Sequence, residues 1–290
     1  MTKKMKNFIV RTVTGVLFVV VMVAGFMAPL AMAFLFALIT GMTIWEYAAL
    51  VNASRNVQVN QFISTAAGVY FFLAVAGFCM GMTPVTVFIP YLITVIYLIV
   101  AELFTKAPNP IHNWAYMALS QLYIALPFSM INALAFTSTA QGETVFNNLL
   151  PLSVFVFLWA NDTGAYCTGS LIGKHKLMER VSPGKTWEGS AGGAVLTMAL
   201  AAAVGYFSAR WGGDGNQPLL AGVPQWMGLG LVVVVMGTLG DLVESLMKRT
   251  LGVKDSGNVL PGHGGMLDRF DSALMAIPSA VIYVYTLSLM

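Results

Sequence analysis

The sequence is poor in charge and rich in apolar side chains. Only 9% of its 290 residues are Asp, Glu, Lys or Arg, whereas soluble proteins average about a quarter. Hydrophobic residues make up 58% of the chain, and the mean hydropathy is +0.77. This shortage of charge excludes an ordinary soluble protein. We therefore predict an all-α fold, that of a polytopic integral membrane protein.

Long polar segments are also missing, and cysteine is scarce. The longest polar interruptions, 171–188 and 248–267, are too short to fold as soluble domains, so the function must be exercised at the membrane. The two cysteines, Cys79 and Cys167, fall near opposite faces of the bilayer in the topology predicted below, which excludes a disulfide between them. The sequence has no internal repeat and no heptad array.

What the chain does have is a series of apolar stretches, about nine, that approach the roughly 20 residues a helix needs to cross a bilayer. They are residues 8–26, 29–50, 61–80, 84–104, 113–136, 148–170, 189–209, 223–247 and 268–289. Short cytoplasmic loops carry an excess of Lys and Arg. With a cytoplasmic N-terminus, nine crossings place every Lys and Arg except Arg210 on the cytoplasmic side. We therefore predict a cytoplasmic N-terminus and an external C-terminus.

An alternative stays open for the N-terminus. Its lysines, its apolar run and Ala31-Met32-Ala33 together resemble a secretory signal with a cleavage site. The apolar run is long for a signal, and its removal would invert the distribution of positive charge. We therefore favour an uncleaved first helix.

Polar residues are unevenly distributed along the chain. Residues 1–140 read as N-terminal transmembrane helices joined by short loops, and their two helix-end carboxylates, Glu46 and Glu102, are predicted to be interfacial. Beyond Asn161, polar residues enter helix ends and Gly-rich loops join the helices. Residues 141–290 are therefore predicted to carry the chemistry, with cytoplasmic loops at 171–188 and 248–267.

The first polar constellation consists of Asp241, Glu244, Ser245 and Lys248. Their spacing of i, i+3, i+4 and i+7 puts them on one face of a helix. A carboxylate at bilayer depth costs about 2.5–3.5 kcal/mol on insertion scales, so such groups normally face a cavity, a partner or an ion. The alternative is a helix end that emerges into water, with Glu244 and Lys248 as a surface pair.

The second constellation is the segment 260–271, LPGHGGMLDRFD. Its glycines permit close approach of the backbone to a ligand, and Asp268 and Asp271 open the last helix, where the helix dipole favours carboxylates. The alternative is simply a capped helix after a Pro-Gly turn. That alternative leaves His263 and Arg269 unexplained.

The third constellation comprises Trp159-Ala-Asn-Asp-Thr-Gly-Ala-Tyr166 and Ser182-Pro-Gly-Lys-Thr-Trp-Glu-Gly189. Asp162 lies inside a membrane segment and again requires a partner. Gly184-Lys185-Thr186 is similar to the end of a phosphate-binding P-loop, but that motif requires a glycine where Glu179 stands and a preceding strand. We reject the P-loop and predict a cationic loop that binds phosphates. A solvated cytoplasmic loop is the alternative.

Together these segments resemble the phosphatidate cytidylyltransferases, also called CDP-diacylglycerol synthases. The resemblance covers residues 160–272, and the N-terminal helices match only in being hydrophobic. The residues that carry it are Asn161-Asp162-Thr-Gly-Ala-Tyr, Ser182-Pro-Gly-Lys-Thr-Trp-Glu-Gly, Ser245-x-x-Lys248-Arg249, Lys254-Asp255, Pro261-Gly-His-Gly-Gly265, Asp268-Arg269 and Asp271.

The resemblance implies transfer of the CMP moiety of CTP to phosphatidate, with release of pyrophosphate and a requirement for Mg²⁺. It also implies two metals or a monovalent ion as further options, a homodimer, no nucleic-acid partner, and a multi-pass protein of the inner (cytoplasmic) membrane with its site on the cytoplasmic side. The same reaction requires divalent metal and positioned cations where lipid and nucleotide meet.

On this basis we predict the roles of the polar residues. The predicted metal ligands are Asp241 and Asp268, followed by Asp271, Asp162 and Glu244. Asp241, Asp268, Asp271, Lys248 and His263 are predicted to be catalytic, with His263 binding a phosphate rather than acting as a base, because a phosphate monoester is already largely ionised at neutral pH. The predicted substrate-binding residues are Ser182, Lys185, Arg249, Lys254, Gly264, Gly265 and Arg269.

Two other functions stay open at this point. A secondary transporter would use the intramembrane carboxylates as an ion site, although transporters often show repeated halves and broken helices, and this sequence shows neither. The second is a different CTP-dependent or lipid-linked transferase.

Overall fold

The computed structural model describes residues 3–53, 57–138, 142–211, 220, 222–257, 259 and 264–289, with side chains of 3–11, 138 and 211 left out. Within these residues the chain forms nine helical runs joined by short connections. The all-α membrane class is thereby confirmed. The helices are α1 (Lys3–Gly25), α2 (Pro29–Asn52), α3 (Gln61–Cys79), α4 (Ile89–Ala101), α5 (Pro110–Leu119), α6 (Leu126–Ala135), α7 (Leu149–Ile172), α8 (Trp187–Trp211), α9 (Val223–Thr250) and α10 (Leu267–Ser288).

Two of these runs contain a second helix type. A 3₁₀ turn, Val85–Phe88, leads into α4, and a π-helical segment, Ser120–Ala125, joins α5 to α6. Of the described helices, six are long and apolar enough to cross a membrane: Pro29–Asn52, Gln61–Cys79, Pro110–Ala135, Trp187–Arg210, Val223–Thr250 and Leu267–Ser288. Shorter apolar helices cover Thr12–Gly25 and Val85–Ala101. The count of nine crossings and the side of the N-terminus stay predictions.

Side-chain caps and prolines define several helix starts. Pro29 and Pro110 stand at the first positions of α2 and α5, where a missing N–H is tolerated. Asn60 and Asn109 accept a hydrogen bond from the backbone three residues on, which caps α3 and α5.

Two small hairpins interrupt the helical pattern, and the sequence did not predict them. Strand β1 (Phe136–Ser138) pairs with β2 (Thr144–Phe146), and β3 (Lys176–Met178) pairs with β4 (Ser182–Thr186). The second hairpin lies in the predicted 171–188 loop, where Pro183 and Gly184 disfavour a helix. Thr186 then caps α8 by accepting from the Gly189 N–H at 3.1 Å.

By packing, the chain forms two compact units. The first contains Met1–Ser138, Thr144–Asn148 and Thr250–Phe270, and the second contains Thr139–Glu143, Leu149–Arg249 and Asp271–Met290. Residues 250–270 thus group with the N-terminal helices, although the sequence assigned 141–290 to one region.

The core of the first unit contains a cluster of buried phenylalanines. Phe36 on α2 lies 5.5 Å from Phe26 and 6.2 Å from Phe128, measured between ring centroids. Phe270, in the first turn of α10, lies 5.4 Å from Phe128 and 6.5 Å from Phe36. Phe270, the last residue of the first unit, therefore packs within this aromatic core.

In the second unit, α7 and α8 approach so closely that glycine is required between them. A Cβ on Gly164 would lie 2.9 Å from the carbonyl oxygen of Gly192 and from the Cα of Gly193. Small residues allow such contact between membrane helices. The close approach brings the polar stretch of α7 next to β4 and the start of α8.

Candidate active site

A cavity in the second unit contains part of the predicted site. Its volume is about 340 Å³, and its walls come from α7, β4, the first turn of α8 and α9. Asp162 and Lys185 line it together with Asn161, Thr186, Ser190 and Thr238. The two segments of the third predicted constellation therefore meet at this cavity, and Thr238 lies one turn before Asp241 on α9.

Lys185 and Asp241 form an ion pair near this cavity. Lys185 Nζ lies 2.6 Å from Asp241 Oδ2, with the side chains 26% and 27% exposed. The other carboxylate oxygen, Oδ1, accepts a hydrogen bond of 3.1 Å from the Ser245 hydroxyl, one turn further along α9. The predicted i, i+4 relation between Asp241 and Ser245 is thereby confirmed.

Asp271 joins this cluster through a close crossing of α9 and α10. A Cβ on Gly240 would lie 2.8 Å from the Asp271 carbonyl oxygen, so glycine is required here for the two helices to approach. The Asp271 side chain interacts electrostatically with Asp241, Asp162 and Lys185. The second unit therefore brings together three of the five predicted metal ligands and one cation; we call Asp162, Lys185, Asp241 and Asp271 the carboxylate cluster.

The donors around the carboxylate cluster suit Mg²⁺, which binds oxygen and keeps water or substrate phosphates among its ligands. Three carboxylates near one another disfavour their own ionisation unless a cation is present. The Asn161 Oδ1 atom, buried at the cavity, has no hydrogen-bond partner among the described residues and is a further oxygen donor. No group of three or more His, Cys, Asp or Glu side chains in the described part of the chain is close enough to enclose a metal by itself. Water and substrate would therefore have to complete the shell.

Glu244, the fifth predicted ligand, has a different partner. Its side chain is fully buried, and its Oε2 lies 2.6 Å from Lys248 Nζ, whose side chain is 12% exposed. The i, i+4 pair considered from the sequence thus exists, but it is buried rather than on the surface. Removing one member of such a pair would leave an uncompensated charge.

The segment between α9 and α10, residues 251–266, is called the α9–α10 loop below. Asp268, at the start of α10, binds two residues of this loop. Its Oδ2 accepts a hydrogen bond from the Ser256 N–H at 2.9 Å and from the Gly265 N–H at 2.8 Å. Gly264 has a positive φ of 82°, and a Cβ there would lie 2.6 Å from Asp268 Oδ2. Glycine at 264 is therefore explained by backbone conformation and by contact with Asp268.

The remaining predicted residues are at the surface or outside the described residues. Arg249, Lys254 and Arg269 are exposed, and Ser182 is half-buried in β4. His263 lies outside the described residues, and its predicted role is untested.

The sequence analysis missed two further carboxylates. Glu188, in the first turn of α8, lies 2.5 Å from His175 Nδ1 and accepts from the Lys174 N–H at 3.1 Å. The sequence signal for Glu188 is its position in the first turn of a helix, where the helix dipole favours a carboxylate. Glu46 was predicted only to be interfacial, without a partner in the protein: its side chain is 7% exposed and accepts hydrogen bonds from the α9–α10 loop. No sequence spacing links residues so far apart in the chain.

Curated relatives resemble part of this chain. A phosphatidate cytidylyltransferase of Haemophilus influenzae is 45% identical over 130 residues, which is 44% of this chain and 43% of the relative. Proteins with the same name from Staphylococcus aureus and Staphylococcus haemolyticus are 46% and 44% identical over 129 residues, 44% of this chain and 45% of each relative. The matched region therefore spans less than half of the length of these relatives.

A family-level comparison extends much further along the chain. A sequence model described as the cytidylyltransferase family matches residues 9–287, which includes every element of the carboxylate cluster and the α9–α10 loop. The family resemblance predicted from the motifs is thereby confirmed. This chain belongs to the cytidylyltransferase family.

Proposed function

We propose that this protein transfers the CMP moiety of CTP to phosphatidate, giving CDP-diacylglycerol and pyrophosphate for phospholipid biosynthesis. The observation that carries the proposal is the carboxylate cluster, of which Asp162 and Lys185 line a cavity, in a chain of the cytidylyltransferase family whose curated relatives are named for this substrate. The cavity volume of about 340 Å³ lies within the usual range for small-molecule sites, about 300–1,000 Å³. It therefore suits part of a nucleotide rather than a macromolecule.

The proposed reaction is a displacement at phosphorus. A phosphate oxygen of phosphatidate attacks the α-phosphorus of CTP, and the bond from that phosphorus to the oxygen bridging to the β-phosphate breaks. Pyrophosphate leaves with that electron pair. Charge spreads over the phosphate oxygens in such transfers, so positioning and cations supply most of the catalysis.

The cluster residues have complementary roles in this proposal. Asp162, Asp241 and Asp271 would hold Mg²⁺, and Asn161 would add a neutral oxygen. The metal would neutralise charge on the phosphate oxygens. Lys185 is held beside Asp241, where it balances the carboxylates and could pair with a phosphate oxygen. A second metal or a monovalent ion is compatible with the same donors.

The other predicted roles rest on the family resemblance. Asp268 as a metal ligand, and Arg249, Lys254, Arg269, Ser182, Gly264, Gly265 and His263 as phosphate-binding residues, all remain part of the proposal. The buried pairing of Glu244 with Lys248 favours a structural role for Glu244 over metal binding and holds the Lys248 ammonium at the end of α9.

The cellular setting follows from the same considerations. Apolar helices suited to crossing a membrane, together with bacterial relatives, support a multi-pass membrane protein. We propose the inner membrane as its location, the cytoplasmic side for the site because CTP is there, a homodimer, and no nucleic-acid partner.

The experiment that tests the function is a reconstituted assay with phosphatidate vesicles, CTP labelled in the α-phosphate, and Mg²⁺. We expect labelled CDP-diacylglycerol and one pyrophosphate for each product, both dependent on phosphatidate. Labelled product with another phospholipid or prenyl acceptor, and none with phosphatidate, would indicate a different transferase. Uptake of a solute by vesicles without CTP would indicate a transporter instead.

A further inference from the structure

Glu46 is a buried carboxylate to which the proposed function gives no role. It lies on α2, near the end of the second helix, within the first unit. Its Oε2 accepts from the Met266 N–H at 2.8 Å, and its Oε1 accepts from the Leu267 N–H at 3.2 Å and from the Ser256 hydroxyl. A single carboxylate from α2 thus binds Ser256 in the α9–α10 loop and the backbone where the loop enters α10.

Two glycines lie directly against this carboxylate. A Cβ on Gly257 would lie 2.7 Å from Glu46 Cδ, and a Cβ on Gly265 would overlap Glu46 Oε1. A side chain at either position would therefore displace the Glu46 carboxylate from its donors. We call Glu46, Ser256, Gly257, Gly265, Met266 and Leu267 the loop clamp.

The loop clamp is coupled to Asp268 through shared residues. Ser256 donates its hydroxyl to Glu46 and its N–H to Asp268, while Gly265 contacts Glu46 and donates its N–H to Asp268. Loss of Glu46 would release Ser256 and the backbone that follows Gly265, and Ser256 and Gly265 are the residues that donate to the Asp268 carboxylate. On the apolar side, Phe270 remains packed against Phe36 and Phe128. The fold of the first unit therefore has a second anchor that does not depend on Glu46.

We infer that Glu46 is a positioning residue: it holds the α9–α10 loop so that Gly264, Gly265 and Asp268 keep the geometry that nucleotidyl transfer requires. This inference rests on the proposed function. Both oxygens of Glu46 accept hydrogen bonds from residues 256, 266 and 267, so its effect is exerted through these residues. Misplacement of reacting groups by about 1 Å can lower a rate by about 100-fold.

The test compares Glu46→Gln with a matched carboxylate in the same unit. The glutamine keeps one acceptor oxygen but turns an NH₂ group toward N–H donors, so kcat should fall about 10- to 100-fold, while KM for CTP changes by less than about threefold. Glu102→Gln is the control, because Glu102 is also a hydrogen-bonded carboxylate at a helix end, with partners Asn113 and Thr105. It should retain at least about half of the wild-type kcat.

A second variant approaches the clamp from the loop. Gly257→Ala keeps the glutamate at position 46 but pushes a methyl group against its carboxylate. We expect a similar fall in kcat with KM unchanged. This variant tests the inference even if Glu46→Gln fails to fold.

Hydrogen exchange provides a readout that does not depend on activity. In Glu46→Gln, the Met266 and Leu267 amides should exchange at least about tenfold faster because they lose their acceptor, while amides of α3 stay unchanged. Unaltered exchange at these amides, or wild-type kcat in both Glu46→Gln and Gly257→Ala, would overturn the inference. So would an equal loss of kcat in Glu102→Gln, since that would show that the effect is not specific to the loop clamp. If wild-type protein makes no CDP-diacylglycerol, the proposed function fails, whereas the exchange result still reports on the clamp.

Discussion

Two regions of this molecule hold buried or half-buried carboxylates, and they satisfy them in opposite ways. In the first unit, Glu46 receives hydrogen bonds from two backbone N–H groups and one hydroxyl. In the second unit, Asp271 accepts one backbone N–H, from Ser272, and has Asp241 and Asp162 as electrostatic neighbours, with Lys185 as the nearby cation. Hydrogen-bond donors surround Glu46, whereas like charges lie near Asp271 and their repulsion is offset by a cation. The identity of the partners, rather than burial, therefore distinguishes a carboxylate that organises a loop from one suited to bind metal.

Removal of metal should produce the largest difference between the two regions. With excess EDTA we expect turnover to fall below detection and to return when Mg²⁺ is added. Without the metal, nothing bound at the carboxylate cluster would neutralise the negative charge of the phosphate oxygens. The loop clamp contains its own donors, so exchange of the Met266 and Leu267 amides should not change. Full activity in chelator would contradict the metal-binding role of the cluster.

Asp241→Asn should have the next largest effect. The substitution removes a proposed metal ligand and the ion-pair partner of Lys185, so kcat should fall on the order of 100- to 1,000-fold. The protein should still insert and purify, since Asp241 is partly exposed. Glu102→Gln is again the control, and near-normal turnover in Asp241→Asn would remove this residue from the site.

Gly164→Ala should act on stability more than on chemistry. The new methyl group would lie 2.9 Å from Gly192 oxygen and would force α7 and α8 apart, at a cost of about 1–3 kcal/mol. Gly222→Ala is the matched control, because the nearest atom to its Cβ is 3.6 Å away. Thermal unfolding in detergent measures both variants, and equal melting temperatures would contradict the close packing of α7 on α8.

Arg210→Ala should have the smallest effect. Arg210 is exposed in the last turn of α8 and donates a long hydrogen bond of 3.4 Å to the Tyr206 hydroxyl. The predicted topology places it on the external side, so kcat should change by less than about twofold. A large loss of activity would overturn the predicted nine-crossing topology.

The sequence predicted the helices well because each apolar run has the length that the bilayer requires. It also indicated Asp162, Asp241 and Asp271 as candidate site residues, since charge inside a membrane segment is costly and rare, and Lys185 from the cationic loop before α8. It did not predict the β3–β4 hairpin, because Pro183 and Gly184 exclude a helix without specifying a strand. Nor could it reveal the loop clamp, because Glu46 and Met266 are 220 positions apart and only packing brings them together.

The difference between the two regions can be measured most directly by titrating purified protein with Mn²⁺, a paramagnetic substitute for Mg²⁺, and recording free Mn²⁺ by electron paramagnetic resonance. Wild type, Asp241→Asn and Glu46→Gln would be compared at equal concentration without substrate. We predict that Asp241→Asn weakens Mn²⁺ binding at least about tenfold, because it removes one of few carboxylate ligands, and that Glu46→Gln binds Mn²⁺ as wild type does. Wild-type Mn²⁺ affinity in Asp241→Asn would contradict the assignment of metal binding to the carboxylate cluster.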